Sequence, residues 1–100
     1  MTITMNRAAD ALTVALSGRL DTTTAPQLEK ALQENLGGIR AVTFDFAGIE
    51  YISSAGLRVL LTAQKQMNAA GGTMTLVHVN ETVMEVFEIT GFTDILTIEN

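Results

Sequence analysis

The run from Asp45 to Leu61 constrains the fold most, because its pattern changes abruptly at two adjacent serines. Upstream, Ala41–Phe46 alternates at a period of two, which predicts a buried strand that a tight turn then ends. Downstream, apolar residues recur at helical spacing, which predicts a helix from Ser54 to Ala70. Its inward stripe consists of Leu57, Leu60, Leu61, Gln64 and Met67. The chain is therefore expected to pass directly from strand to turn to helix, with Ser53 and Ser54 at the junction.

Four other segments are predicted to be strands: Ile3–Met5, Leu12–Leu16, Thr73–Val79 and a short last strand, Ile95–Ile98. In Leu12–Leu16 every second residue is a large aliphatic one, which is typical of a half-buried strand, and Gly18 is expected to end it. Ile3–Met5 is close enough in sequence to pair with this strand as a hairpin.

Two further helices have recognisable start and stop signals. The first follows a Thr24 capping box, carries Pro26 in its first turn and stops at Gly37-Gly38. The second runs from an Asn80 cap to about Thr90. The predicted order is ββαβαβαβ, an α/β fold in which helices join strands of a mixed, mostly parallel sheet. With 100 residues, 47% of them hydrophobic, the chain is expected to form a single domain over residues 1–100.

Charge and composition argue against several classes of function. The net charge of -5 is unfavourable for binding nucleic acid or an anionic membrane surface. The chain has no cysteine, which excludes disulfides, thiolate metal sites and thiol catalysis. No signal peptide and no apolar run long enough to span a membrane is visible, so a cytoplasmic location is expected.

The two serines at the strand-to-helix junction allow two interpretations. The first few N–H groups of a helix lack intrahelical partners, and the helix dipole adds partial positive charge there. A serine in this position can simply cap the helix, and a phosphate on it would also be well accommodated. Gly56 lies within the predicted first turn, where glycine costs about 1 kcal/mol relative to alanine. That cost indicates close packing, or close approach of another group, at this turn.

Three motifs in order resemble one known family over nearly the whole chain. They are Gly18-Arg19-Leu20-Asp21, Tyr51-Ile52-Ser53-Ser54-Ala55-Gly56-Leu57 and Phe87-Glu88-Ile89-Thr90-Gly91-Phe92-Thr93-Asp94-Ile95. Together they resemble the STAS-domain proteins that act as bacterial anti-sigma factor antagonists. The sequence departs from the family pattern at the central motif. Where the family often has Asp before the phosphorylated Ser and Ser or Thr after it, this chain has Ser53 and Ala55.

The resemblance implies roles for specific residues. Ser54 matches the phosphorylated serine, with Ser53 as a secondary possibility. Asp21 matches an aspartate near the phosphoserine that contributes to kinase binding, although from the residues alone it could equally form an Asx-type turn or cap a helix. Arg58, one helical turn after Ser54, is either a phosphate contact or a solvent-facing residue at the partner interface. The partner-binding residues implied are Asp21, Ser53, Ser54, Gly56, Leu57 and Arg58.

The function implied by the resemblance is regulatory and non-enzymatic. The unphosphorylated protein would bind an anti-sigma factor with serine-kinase activity, be phosphorylated by it and dissociate, and a metal-dependent serine phosphatase would reset it. ATP and Mg²⁺ would belong to the kinase, so no cofactor is expected in this chain. The first alternative, favoured by Ser53, is an unphosphorylated STAS module in a transport, lipid-trafficking or other signalling complex.

A small hydrolase or transferase built on the two serines is the second alternative. It would need a general base and an oxyanion site, and the sequence shows neither. His78 is the only histidine. It is expected on a strand, in a structural or edge position, with no sequence neighbours that suggest a triad or a metal site.

Overall fold

The computed structural model describes all residues from Met1 to Asn100. Five strands form one sheet in the order β1-β2-β3-β4-β5. The strands are β1 (Thr2–Ala8), β2 (Ala11–Leu20), β3 (Ala41–Ile52), β4 (Thr73–Val77) and β5 (Thr97–Ile98). The helices are α1 (Ala25–Asn35), α2 (Ser54–Ala69) and α3 (Glu81–Thr90), and a single 3₁₀ turn covers Phe92–Asp94.

The sheet is mixed, as the sequence predicts. β1 runs antiparallel to β2, while the β2–β3, β3–β4 and β4–β5 pairs are parallel. Parallel neighbours need crossover connections, and here each crossover contains one helix. The predicted order ββαβαβαβ and the α/β class are therefore confirmed.

A single cluster of 26 buried apolar residues forms the hydrophobic core. Alternate side chains of β2, β3 and β4 enter it, including Val14, Phe44 and Leu76, each 0% exposed. The helices complete it through residues such as Leu28, Leu60 and Phe87, whose exposure is also 0%. None of the three helices combines the length and apolar composition required to cross a bilayer.

Two predicted strand ends are wrong. β2 does not stop at Gly18 but continues to Leu20, because glycine accepts the positive φ of 102° that this point of the strand requires. β3 does not stop at Phe46, and no tight turn follows it. It continues to Ile52 through register shifts against β2, opposite Ala15–Ser17 and Gly18–Arg19. These irregularities break the strict alternation that sequence patterns detect.

Two local predictions in the other elements are also corrected. β4 ends at Val77, so His78 follows the strand rather than lying on it, and its φ of 59° is left-handed. The Thr24 capping box does not form. Thr24 occupies the cap position of α1, but its side chain makes no cap hydrogen bond and instead donates to the carbonyl of Arg19 at 2.6 Å. In α3, by contrast, the predicted Asn80 cap is confirmed, since its side chain accepts from Val83 N–H at 2.8 Å.

Candidate functional site

The carboxyl ends of β2 and β3 bring the predicted site residues together. The register pairs Leu20 with Ile52, and the N–H of Ser53 donates to the carbonyl of Leu20 at 2.9 Å. Asp21 and Ser53 therefore directly follow the ends of two neighbouring strands, β2 and β3. Ser54 begins α2 immediately after Ser53. Because parallel strands end at the same edge of a sheet, two motifs about 30 residues apart in sequence form one surface.

Ser54 is the first residue of α2 and is exposed to solvent. The backbone hydrogen bonds of the helix begin with Leu57 N–H, which donates to the carbonyl of Ser53 at 3.0 Å. No side chain caps the helix, so the amides of Ser54, Ala55 and Gly56 are left without protein partners. The Ser54 hydroxyl thus lies at an uncapped helix start that carries partial positive charge.

Ser53 occupies the cap position of α2 in an extended conformation, with φ -105° and ψ 176°. Its backbone geometry suits a cap, but its Oγ is buried and makes no hydrogen bond. The interpretation in which one serine simply caps the helix is therefore not what the structure shows. A buried hydroxyl without a partner costs about 1–3 kcal/mol, so this position is not optimised for stability.

Gly56 and Leu57 anchor the start of α2 to the sheet. A β-carbon at Gly56 would lie 2.7 Å from Leu20 Cγ and 2.9 Å from Ile52 Cγ1, so close packing accounts for the glycine. Leu57 is only 6% exposed. The resemblance assigned both residues to partner binding. The structure places them beneath the surface, where they fix the position and direction of the start of α2 against the sheet.

Asp21 forms the turn between β2 and α1. Its Oδ1 accepts from the N–H groups of Thr23 at 3.0 Å and Thr24 at 3.2 Å, which is the Asx-type turn that the sequence allowed. These hydrogen bonds, led by the one from Thr24 N–H, lower the pKa of Asp21 below its usual value. Its Oδ2 lies 3.7 Å from Arg19 Nε. Asp21 is therefore held as a carboxylate at the edge that also carries Ser54.

Arg58 is exposed one turn after Ser54 and borders a shallow concavity between α1 and α2. This concavity has a volume of about 250 Å³ and is lined by Thr22, Ala25, Pro26, Glu29, Ala55, Arg58 and Val59. Arg58 takes part in neither of the two ion pairs of the molecule. It is therefore a free cation beside the exposed serine.

Comparison with known proteins identifies the family. The family described as STAS domain matches residues 2–100.

The chain belongs to the STAS-domain family.

Two relatives are bacterial proteins, and both are anti-sigma factor antagonists by name. BtrV of Bordetella bronchiseptica is 39% identical over 101 residues, covering 100% of this chain and 87% of BtrV. The anti-sigma-B factor antagonist of Listeria monocytogenes is 30% identical over 96 residues, covering 94% of this chain and 83% of that protein.

The solved structures agree in fold. The Bacillus cell fate determinant SpoIIAA in its phosphorylated form has a TM-score of 0.77 at 17% identity, covering 99% of this chain and 92% of that chain. The unphosphorylated form of SpoIIAA, an anti-sigma factor antagonist, has a TM-score of 0.78 at 16% identity, covering 99% of this chain and 88% of that chain. The resemblance seen in the sequence is thus confirmed at the level of family and fold.

The STAS domain has two further residues at this edge that the sequence did not single out. Arg19 and Tyr51 are register partners on β2 and β3, and the guanidinium carbon lies 4.6 Å from the centre of the tyrosine ring. Tyr51 remains 37% exposed. Only the shifted strand register places the two side chains together, so no local sequence pattern signals this cation–π pair.

Elsewhere in the STAS domain, His78 pairs with Asp45. Its Nδ1 lies 2.9 Å from Asp45 Oδ1, and the Ala47 N–H donates to the same carboxylate oxygen at 2.9 Å. Both hydrogen bonds, with that from Ala47 the larger, lower the pKa of Asp45. No serine or threonine hydroxyl is hydrogen-bonded to His78, so the pair does not form a catalytic triad.

No group of three or more His, Cys, Asp or Glu side chains is arranged to hold a metal ion.

Proposed function

We propose that this STAS domain is an anti-sigma factor antagonist that switches partners through phosphorylation of Ser54. In its unphosphorylated state it binds an anti-sigma factor with serine-kinase activity, and it releases that partner once Ser54 carries a phosphate. A metal-dependent serine phosphatase restores the first state. The chain itself performs no catalysis, and by the family the setting is the bacterial cytoplasm.

The observation that carries this proposal is the exposed Ser54 hydroxyl at the uncapped start of α2. A kinase can reach this oxygen without unfolding the chain. The free amides of the first turn and the helix dipole can accommodate the new charge, so phosphorylation need not damage the fold. The names of the relatives, anti-sigma factor antagonists, support the class of partner.

The release step follows from electrostatics at the same edge. A phosphoserine adds about -1.5 to -2 charges at neutral pH. Asp21, a neighbour of Ser53 across the strands, is already held ionised. A partner docked on this edge would have to bury the phosphate next to that carboxylate, and burying like charges together is unfavourable. Each 1.4 kcal/mol lost weakens binding about tenfold.

The first experiment measures phosphorylation. The purified chain is incubated with its cognate anti-sigma kinase, ATP and Mg²⁺, and its intact mass is determined. We expect a gain of one phosphate by the wild type and by Ser53→Ala, and none by Ser54→Ala. Phosphate incorporation into Ser54→Ala but not into Ser53→Ala would transfer the role to Ser53.

The second experiment measures binding to the same kinase. Ser54→Ala should bind like the unphosphorylated wild type, and Ser54→Asp should bind at least about tenfold more weakly. Ser17→Asp is the matched control, because Ser17 is also exposed but lies within β2. It should bind like the wild type. Equal binding by the wild type, Ser54→Ala and Ser54→Asp would contradict the proposal.

A second candidate function is an unphosphorylated STAS interaction module in a transport, lipid-trafficking or other signalling complex. The observation that favours it is Ser53, where the family often has an aspartate. A carboxylate at this position would place a negative charge beside Ser54, whereas the Ser53 hydroxyl is neutral and buried. An unchanged mass after incubation with the kinase and ATP, together with stable binding to another protein, would favour this module.

A further inference from the structure

The two edges of the sheet are very unequal. β5, at one edge, offers only two residues, Thr97 and Ile98. β1, at the other, is a seven-residue strand that pairs with β2 on one side only. The outward backbone N–H and C=O groups of β1 therefore form a row that no other part of the chain covers.

Little in β1 protects this edge from pairing with another strand. Soluble proteins usually blunt a free edge with charged side chains (lysine above all), with proline, with a bulge or with a covering loop. β1 contains no proline or lysine, and its seven residues pair with β2 in an unbroken register. Its single charge is Arg7, whose Nε donates to the nearby carbonyl of Ala9 at 2.9 Å. β1 also contains no acidic residue, although the chain carries a net charge of -5.

We propose that β1 pairs with β1 of a second copy of this chain, antiparallel about a two-fold axis, to form a continuous ten-stranded sheet. A two-fold axis satisfies both free edges at once, because the same strand is donated and received. Pairing cannot propagate into a filament by sheet extension, since the far edge, β5, presents only two residues. The assembly therefore closes as a dimer.

The side chains of β1 suit this arrangement. If all seven residues pair, Met5 lies on the two-fold axis, Thr4 faces Asn6 of the second copy, and Ile3 faces its Arg7. In the single chain, Ile3 and Met5 are only half-buried, packed against the margin of the core. In the dimer they extend the core across the axis, and no two like charges lie directly opposite.

The dimer leaves the site at Ser54 open. Because the two sheets are joined antiparallel, the carboxyl ends of their parallel strands point in opposite directions. Along the strand direction, the two copies of Ser54 therefore lie at opposite ends of the ten-stranded sheet, and each remains accessible. An interface of one strand per copy is small compared with most stable interfaces, so we expect dimerisation to depend on protein concentration.

The experiment measures the molar mass of the full chain in solution by light scattering after gel filtration, or by sedimentation, across a range of concentrations. The wild type should approach twice the chain mass of 10.7 kDa as concentration rises. Thr4→Lys should remain at the single-chain mass, because an edge lysine opposes strand pairing. Thr13→Lys is the matched control, since Thr13 is also exposed but lies on β2, and it should dimerise like the wild type. A wild type that stays monomeric at all concentrations would overturn the proposal.

A second measurement locates the interface. The chain has no cysteine, so Met5→Cys introduces a single thiol. On the two-fold axis, two such cysteines lie within reach of a disulfide, and mild oxidation should convert the variant into a covalent dimer. Thr13→Cys, one strand further in, should not cross-link. A dimeric wild type whose Met5→Cys variant fails to cross-link would show that another surface mediates the contact, and would overturn pairing through β1.

Discussion

Two cap residues show how differently this chain treats the starts of its helices. At α3, the Asn80 side chain accepts from Val83 N–H and donates to the carbonyl of Ile49, both at 2.8 Å. At α2, Ser53 has the backbone conformation of a cap, but its hydroxyl is buried and unpaired. The cap side chain of α3 is therefore hydrogen-bonded through both its oxygen and its nitrogen. The cap side chain of α2, next to the proposed phosphorylation site, makes no hydrogen bond.

This contrast predicts opposite effects of alanine. Asn80→Ala should lower the free energy of unfolding by about 1–3 kcal/mol, because it removes a cap and leaves the Ile49 carbonyl without its partner. Ser53→Ala should leave stability unchanged or raise it slightly, because the hydroxyl that it removes makes no hydrogen bond. Urea denaturation of the two variants and the wild type measures both effects. A loss of 1 kcal/mol or more in Ser53→Ala would show that Ser53 caps α2 in solution.

At the same scale, the roles of some residues could be predicted from their neighbours in sequence, and the roles of others could not. Asn80 was predictable as a cap, and Gly91 as the end of α3, because both signals act within one turn of the chain. The His78–Asp45 pair joins residues 33 positions apart. Neither residue type nor local spacing indicates it, because its geometry depends on which strands are neighbours and on the left-handed backbone of His78.

Among the elements, the second half of β3 shaped the candidate site and was missed by the sequence pattern. After Phe46 the exposed and buried residues no longer alternate, since the register shifts of β3 against β2 interrupt the pleat. Gly48 lies within this irregular stretch, where a β-carbon would be only 2.7 Å from Ser17 Cβ. The strand continues nonetheless and delivers Ser53 beside Leu20. The order of elements was thus predictable, whereas the register that aligns Asp21 with the serines was not.

β3 is also joined to the residue that follows β4, through the hydrogen bond between Asp45 and His78, and this contact gives a prediction about pH. The pKa of Asp45 is lowered by hydrogen bonds from Ala47 N–H and His78. A carboxyl whose pKa is lower in the folded chain than in the unfolded chain stabilises the fold above its unfolded pKa of about 3.9, and that stability is lost as pH falls through the folded value. Wild-type stability should therefore decline as the pH drops below about 4.

Asp45→Asn tests this assignment. The variant should be less stable than the wild type at neutral pH and should lose less stability on acidification, because it lacks the carboxylate whose pKa is lowered. Part of the acid sensitivity should persist, since Asp21 also has a lowered pKa. Asp10→Asn, in the turn between β1 and β2, is the control, and it should follow the wild-type curve because that side chain makes no hydrogen bond. Urea unfolding at a series of pH values gives the slopes, and parallel curves for Asp45→Asn and the wild type would contradict the assignment.

Across the whole molecule, charge is distributed unevenly along the chain. Residues 1–65 contain equal numbers of basic and acidic residues, so the net charge of -5 comes entirely from residues 66–100. That segment has no lysine or arginine, and three of its five acidic residues are on α3: Glu81, Glu85 and Glu88. The acidic surface is therefore a property of the α3 side of the fold rather than of the edge that carries Ser54, where Arg19 and Arg58 are exposed.

This distribution predicts that a single charge reversal has unequal effects at the two ends of α3. Glu88 lies in the last turn, three residues after Glu85, where both the helix dipole and the neighbouring carboxylate disfavour a negative charge. Glu88→Lys should raise the free energy of unfolding by about 0.5–1 kcal/mol at low ionic strength. Glu81→Lys changes the net charge equally and also removes repulsion from Glu85, but it places a cation in the first turn, where the dipole favours an anion. These two effects oppose each other, so Glu81→Lys should change the free energy of unfolding by no more than a few tenths of a kcal/mol. Urea denaturation at roughly 0.01 M and 1 M salt tests whether these effects are electrostatic. At high salt, screening should reduce the difference in the free energy of unfolding between the two variants. Equal stabilisation by both variants would show that only the total charge matters, and would contradict the assignment to the helix ends.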